Sequence, residues 1–163
     1  MAWAKNGTPD TLGSELDTMT ISDLTAKKIN QYMYHGLYTG TPDWLLRFNN
    51  DSGSLYARRR SSNGGTDSTA VSQTEIDTVA GAFGSDIFHI GYNVWISGEE
   101  KLYIGNTVIR NTAGAGTAPQ RVEVVGKYVP SPLTDTCDRI DIVNTQASAG
   151  YTTSSNLSAL GTD

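Results

Sequence analysis

DIFHIGYNVWISGEEKLYIGNTVIR, residues 86–110, is the stretch whose reading decides the fold. Phe88, Ile90, Tyr92, Val94 and Ile96 fall on alternate positions. A strand points alternate side chains to opposite faces, so these five share one face. Asp86, His89, Gly91 and Asn93 lie on or near the other, which Ile87 and Trp95 interrupt. The run breaks at Ser97-Gly98-Glu99-Glu100 and resumes as KLYIGNTVIR. A short polar segment with a glycine between two β-branched and aromatic runs reads as a hairpin. Glu99, Glu100 and Lys101 would sit at its tip, facing solvent.

Working outward, further short strands alternate in the same way. They are read at DTMTIS (17–22), at 29–39, in WLLRFNND (44–51), LYARRRSS (55–62), RVEVVGKYVP (121–130), CDRIDIVN (137–144) and SNLSALG (155–161). In RVEVVGKYVP, Val122, Val124 and Tyr128 share one face, and Arg121, Glu123 and Lys127 share the other with Val125 and Val129. A helix from Ser22 or Asp23 to Tyr34 competes with the strand at 29–39. Asn49-Asn50-Asp51-Ser52-Gly53-Ser54 is a turn, and 61–72, 111–119 and 145–155 are loops by composition. Residues 74–81 fit one helical turn or irregular chain. About eight short strands with turns between them predict an all-β, antiparallel β-sandwich, whose two sheets bury their apolar faces against each other. Residues 1–15 predict an arm with only Trp3 and Leu12 to anchor it, and residues 16–163 the sandwich domain.

Composition agrees. The 163 residues are 37% hydrophobic and only 18% charged, with 17 glycines. Ser, Asn and Gly disfavour helices and favour turns. The net charge of -5 argues against nucleic acid as a partner, because phosphate binding needs clustered Lys and Arg. The one basic cluster, Arg58-Arg59-Arg60, alternates direction in a strand and makes no stripe; a solvated edge or a subunit contact is expected there. A single cysteine, Cys137, excludes an internal disulfide and is expected as a small buried hydrophobe. No apolar leader and no stretch of membrane-spanning length is present, so a cytoplasmic setting is expected and no membrane partner.

Chemistry is scarce. Gly114 and Gly116 lie in a loop without the third glycine or the helix that a phosphate cradle needs. His35 and His89 sit within strands, where packing is expected. Asp135, Asp138 and Asp141, or Asn49, Asn50 and Asp51, offer oxygens to calcium only without the spacing of a known loop. No catalytic, cofactor or metal residue emerges, and the expectation is a protein that is not an enzyme. The aromatics leave more open. Tyr32, Tyr34 and Tyr38 share a strand face, with Trp44 close behind. Such a row serves as core, as a protein interface or as a sugar platform. With Trp3 and Leu12, these four are the candidate interface residues.

The run SGEEKLYIGNTVIRNTAGAGTAPQRVEVVGKYV (97–129), followed by RIDIVNTQ (139–146) and GYTTSSNLSALGTD (150–163), resembles small jelly-roll-like β-sandwich structural proteins of tailed phages of marine and other environmental origin. Those families often carry Gly-Ser where this chain has Ser154-Ser155. The resemblance implies a virion component made and assembled in the host cytoplasm. A capsid decoration or cement subunit is the expectation, with itself as partner in a homotrimer or other closed oligomer, and the major capsid protein or other virion proteins beside it. The alternatives are a carbohydrate-binding sandwich on a tail and a subunit of a tube or filament.

Overall fold

The computed structural model describes residues 2–80, 84–112 and 114–163. Met1 of the arm, Gly81 at the end of the 74–81 segment and Ala113 of the glycine loop lie outside them. Among the described residues the regular structure is all strand. In order these are β1 (Ala4–Lys5), β2 (Asp10–Thr11), β3 (Thr18–Ile21), β4 (Ile29–Gly36), β5 (Tyr38–Thr39), β6 (Leu45–Phe48), β7 (Tyr56–Ser62) and β8 (Ser68–Gln73). Then come β9 (Ile76–Asp77), β10 (Ile87–Val94), β11 (Lys101–Ile109), β12 (Gln120–Tyr128), β13 (Ile140–Val143), β14 (Gly150–Tyr151) and β15 (Asn156–Thr162). The opening stretch is the expected antiparallel hairpin of β10 and β11, with Ile87 opposite Ile109 and Val94 opposite Leu102. Gly98, at φ 81, supplies a left-handed residue in the connection between them.

A large antiparallel sheet runs β1-β15-β4-β10-β11-β12-β7-β8, and β2 also pairs with β15. A smaller sheet, β3-β13-β6-β9, and the pair β14-β5 complete the set. One aromatic-rich core contains side chains of both sheets, so the smaller sheet covers one face of the larger. That face is called inner below, and the opposite one outer.

Two expectations change, and an open one is decided. The first fifteen residues are not a free arm: β1 and β2 pair with β15, Asn6 N donates to Ala159 O, and Leu12 is buried. The 61–72 loop contains most of β8, an edge strand of small polar residues. An edge strand packs on one neighbour only and needs no apolar alternation, so its composition hid it. Of the two readings of 74–81, irregular chain holds for the described residues except at Ile76–Asp77, a short strand against β6.

The largest change concerns which face is buried. On β10 the inner positions are Ile87, His89, Gly91 and Asn93, with Trp95 just beyond; Phe88, Tyr92, Val94 and Ile96 are exposed. The face that looked like core on apolar content therefore points away from it. The reason lies in what the core is made of. It is a run of flat rings rather than aliphatic branches: Tyr151 stacks on Trp44 at 4.6 Å, Trp44 on Tyr34 at 6.1 Å and Tyr34 on His89 at 4.8 Å. Such rings need bare backbone beside them. Gly91 and Gly105 face each other across β10 and β11. A Cβ on Gly91 would stand 2.7 Å from the Tyr32 ring, and one on Gly105 only 2.0 Å from the Tyr103 hydroxyl. The glycines that looked like weak strand positions are the space the rings occupy.

Candidate functional site

The inner polar groups come first, because they are where chemistry would be sought. His89 is fully buried. Thr107 Oγ1 donates to Thr78 O at 2.7 Å, so it accepts from His89 Nδ1, also at 2.7 Å. That leaves His89 Nε2 to accept from the Tyr103 hydroxyl at 2.9 Å. Tyr34 joins through the Thr78 hydroxyl, which donates to Trp44 O at 2.7 Å. Burial holds the imidazole down at about 3, so it is neutral. Burial likewise pushes the Cys137 thiol up to about 12, and the cysteine is a buried small side chain as expected. This network is satisfied and sealed. It specifies how the two sheets pack and offers no reactive group to solvent.

Lys101 is a second inner polar residue. Expected at the hairpin tip in solvent, it is buried, and its amine donates to Ile96 O and Leu133 O, both at 2.6 Å. The arginine cluster divides as strand alternation requires. Arg58 and Arg60 turn inward and share one oxygen of Asp77 at 2.6 and 2.9 Å, while Arg59 pairs with Asp67 at 3.1 Å. The two oxygen-rich stretches considered for calcium tie loops together: Asn49 Oδ1 accepts from Asp138 N and Arg139 N, and Asp141 pairs with Arg139 and Thr20. Among the described residues, no three His, Cys, Asp or Glu gather as metal ligands would.

The candidate interface residues separate sharply. Tyr32, Tyr34 and Trp44 are at most 1% exposed and form the core, Leu12 is buried, and Tyr38 packs partly against the core. None of the three buried rings can meet a partner or stack on a sugar. Trp3 alone stands out, 43% exposed, with its ring edge-on to Tyr92 at 6.4 Å.

The surface Trp3 joins is the outer face of the large sheet. Phe88, Tyr92, Val94 and Ile96 reach it from β10 and just beyond, Leu102, Ile104 and Val108 from β11, and Val125 from β12. They are cross-strand neighbours: Phe88 lies opposite Val108, Tyr92 opposite Ile104, Val94 opposite Leu102, and Ile104 opposite Val125. Within this field Asn106 is the polar exception on β11. Charges lie around it and are already paired, Arg121 with Glu123 at 3.6 Å and Lys127 with Glu100 at 2.8 Å. Such exposed pairs contribute little energy, well under about 1 kcal/mol each. Three aromatic side chains of roughly 150–250 Å² each and six smaller aliphatic ones, all about half exposed, make a patch of roughly 600–700 Å². A typical monomer's largest apolar patch is about 300–600 Å². At roughly 25 cal/mol per Å², covering this one releases on the order of 15 kcal/mol before association costs. No other feature of the described surface carries a driving force of that size.

Sequence reasoning grouped the β10 residues of this face correctly and sent them inward. The signal that could have reversed the assignment was the polar content of the opposite parity read with its glycines. Ile87, His89, Gly91, Asn93 and Trp95 alternate with them, and the paired glycines announce rings overhead.

No protein-family model matches the sequence, and no curated protein matches it. Among solved structures, 96% of the chain overlays on 33% of a GH43 glycoside hydrolase engineered to display both endo-xylanase and exo-arabinofuranosidase activity, at 11% identity and a TM-score of 0.47. Two others are the catalytic domain of PdAgaC, at 6% identity and TM-score 0.27, and the dimeric latent PorU from Porphyromonas gingivalis, at 10% identity and TM-score 0.22. They overlay on 98% and 97% of the chain, and the chain spans 74% and 11% of their lengths. The expectation of a protein that is not an enzyme is corrected by the first of these, which is an enzyme, and is dropped. At that TM-score the likeness assigns no reaction, substrate or catalytic residue to this chain.

Proposed function

We propose that the chain is a virion structural subunit, a head decoration or cement protein built on a jelly-roll-like sandwich. It works by laying the outer face of its large sheet against a neighbouring protein surface. The observation that carries the reading is that face: roughly 600–700 Å² of apolar side chains on a rigid sheet, flanked by paired charges. An exposed apolar patch of this size marks an interaction surface, and a broad, open sheet face suits a protein contact. The resemblance of residues 97–129, 139–146 and 150–163 to tailed-phage structural proteins supplies the setting, with assembly in the host cytoplasm and residence in the virion. Proteins of shells close their contacts by symmetry, which fits a partner set of copies of this chain and of the major capsid protein.

The test is mass spectrometry and immunogold labelling of purified particles of the virus that encodes this sequence. The reading expects many copies per particle, placed on the head. Production in infected cells with none in the particles overturns it. Label confined to tail or filament overturns the decoration role and keeps the structural one.

A further inference from the structure

We propose that a second copy of this chain covers the outer face, the two large sheets packing face to face about a two-fold axis. This rests on the assembly reading above and names its partner. Area is the first support. The patch of roughly 600–700 Å² is close to the ~800 Å² per partner that a standard stable interface buries, so one copy laid on another uses nearly all of it.

Shape is the second. The two halves of the face differ in relief. Over β10, Tyr92 carries the Trp3 ring edge-on and Phe88 stands exposed further along the strand, which makes an aromatic ridge. Over β11, β12 and β7 lie two adjoining hollows of about 420 and 460 Å³, which share Arg59 and Val125. Ile104 lines the first and Leu102 the second. A two-fold contact is self-complementary, so each copy must present both the shape that enters and the shape that receives. A ridge and a trough side by side on one sheet meet that requirement, with the ridge of each copy in the trough of the other.

Charge is the third. Around the trough, Arg59, Arg121 and Lys127 are each held by a carboxylate of their own chain. The face therefore carries no excess of one sign that would call for an oppositely charged partner, and its centre is apolar.

Analytical ultracentrifugation of the purified chain tests this. The expected species has twice the 17.5 kDa chain mass. Ile104→Asp is expected to weaken the pair at least about 30-fold and return the single-chain mass, with the far-ultraviolet spectrum of the parent. Val125→Lys, one strand away, gives the same readout should Ile104→Asp fail to fold. Mixing Tyr92→Cys with Val125→Cys, which lie level on either side of Ile104, is expected to cross-link ridge to trough, while neither variant alone does so. Single-chain mass for the parent overturns the pairing, and the assembly reading then stands or falls on the particle labelling alone. A pair that survives both substitutions, or a trimer lost on substitution, overturns the two-fold face-to-face contact. Cross-linking by either cysteine variant alone, as strongly as by the mixture, overturns the ridge-in-trough arrangement.

Discussion

The two faces of the β10–β11 hairpin invert the usual rule. The inner face holds a histidine, an asparagine, a lysine, a threonine and two glycines, and it is the core. The outer face holds phenylalanine, tyrosine, valines, leucine and isoleucines, and much of it meets water. The histidine, the lysine and the threonine are tolerated inside because loops and the neighbouring strand bring partners to them, while Asn93 Oδ1 has none among the described residues. Thr78 O receives Thr107, Ile96 O and Leu133 O receive Lys101, and the Tyr103 hydroxyl reaches His89. A polar group with its hydrogen bonds made costs little to bury, whereas an unsatisfied one costs about 1–3 kcal/mol. Apolar residues are tolerated outside because single side chains on a rigid strand do not unfold a sheet. They leave a surface that attracts another. One face is thus read as the site of folding, and the other, under the proposal above, as the site of assembly.

That contrast can be broken by substitution, and the inner face should give the largest effects. Trp44→Ala removes the ring between Tyr34 and Tyr151 and is expected to cost about 3–5 kcal/mol in urea unfolding. A loss under 1 kcal/mol would mean that the aromatic stack does not hold the sheets together. Gly105→Ala puts a methyl 2.0 Å from the Tyr103 hydroxyl and 2.7 Å from the His89 ring, and should cost about 1–3 kcal/mol. The same change at Gly98, where nothing lies within 4 Å, strains the backbone at φ 81 without any clash and should cost about 1 kcal/mol, less than at Gly105.

His89 sharpens the comparison through pH. Its folded value of about 3 lies below the ordinary 6.5, so the unfolded chain takes up the proton first as pH falls. Its share of stability is therefore complete above about pH 6.5 and is lost on acidification towards 3, with a slope of up to about 1.4 kcal/mol per pH unit. His89→Gln should be less stable at pH 7 yet show a shallower decline between pH 6 and 4. Equal slopes would remove His89 from the account. The smallest effect belongs to the outer face. Val108→Thr, next to the buried Thr107, should change the unfolding free energy of the dissociated chain by less than about 0.5 kcal/mol. A loss of 2 kcal/mol there would place Val108 in a core that the fold does not show.

Much of this fold was legible, and its limits are instructive. Alternation located β4, β10, β11, β12 and β13 and set which residues share a face, because period two is a property of the extended backbone itself. In β12 it also identified the buried set, Val122, Val124 and Tyr128, since the opposite parity carries Arg121, Glu123 and Lys127. In β10 both parities contain large apolar residues, and alternation cannot say which one turns inward. β8 escaped notice because an edge needs no apolar stripe. The candidate site failed for a related reason. Tyr32, Tyr34 and Trp44 were recognised as a group that meets something, and what they meet is their own second sheet.

By itself, then, the order of residues determined an antiparallel all-β chain, its hairpin at 86–110 and the partition of side chains between two faces. Those follow from backbone geometry and local turn chemistry, which act over a few residues. Only the tertiary structure decided which face became the interior. That choice depends on hydrogen-bond partners and ring-sized spaces brought together from residues far apart in the chain, such as Trp44 against Tyr151 and Thr78 against Thr107.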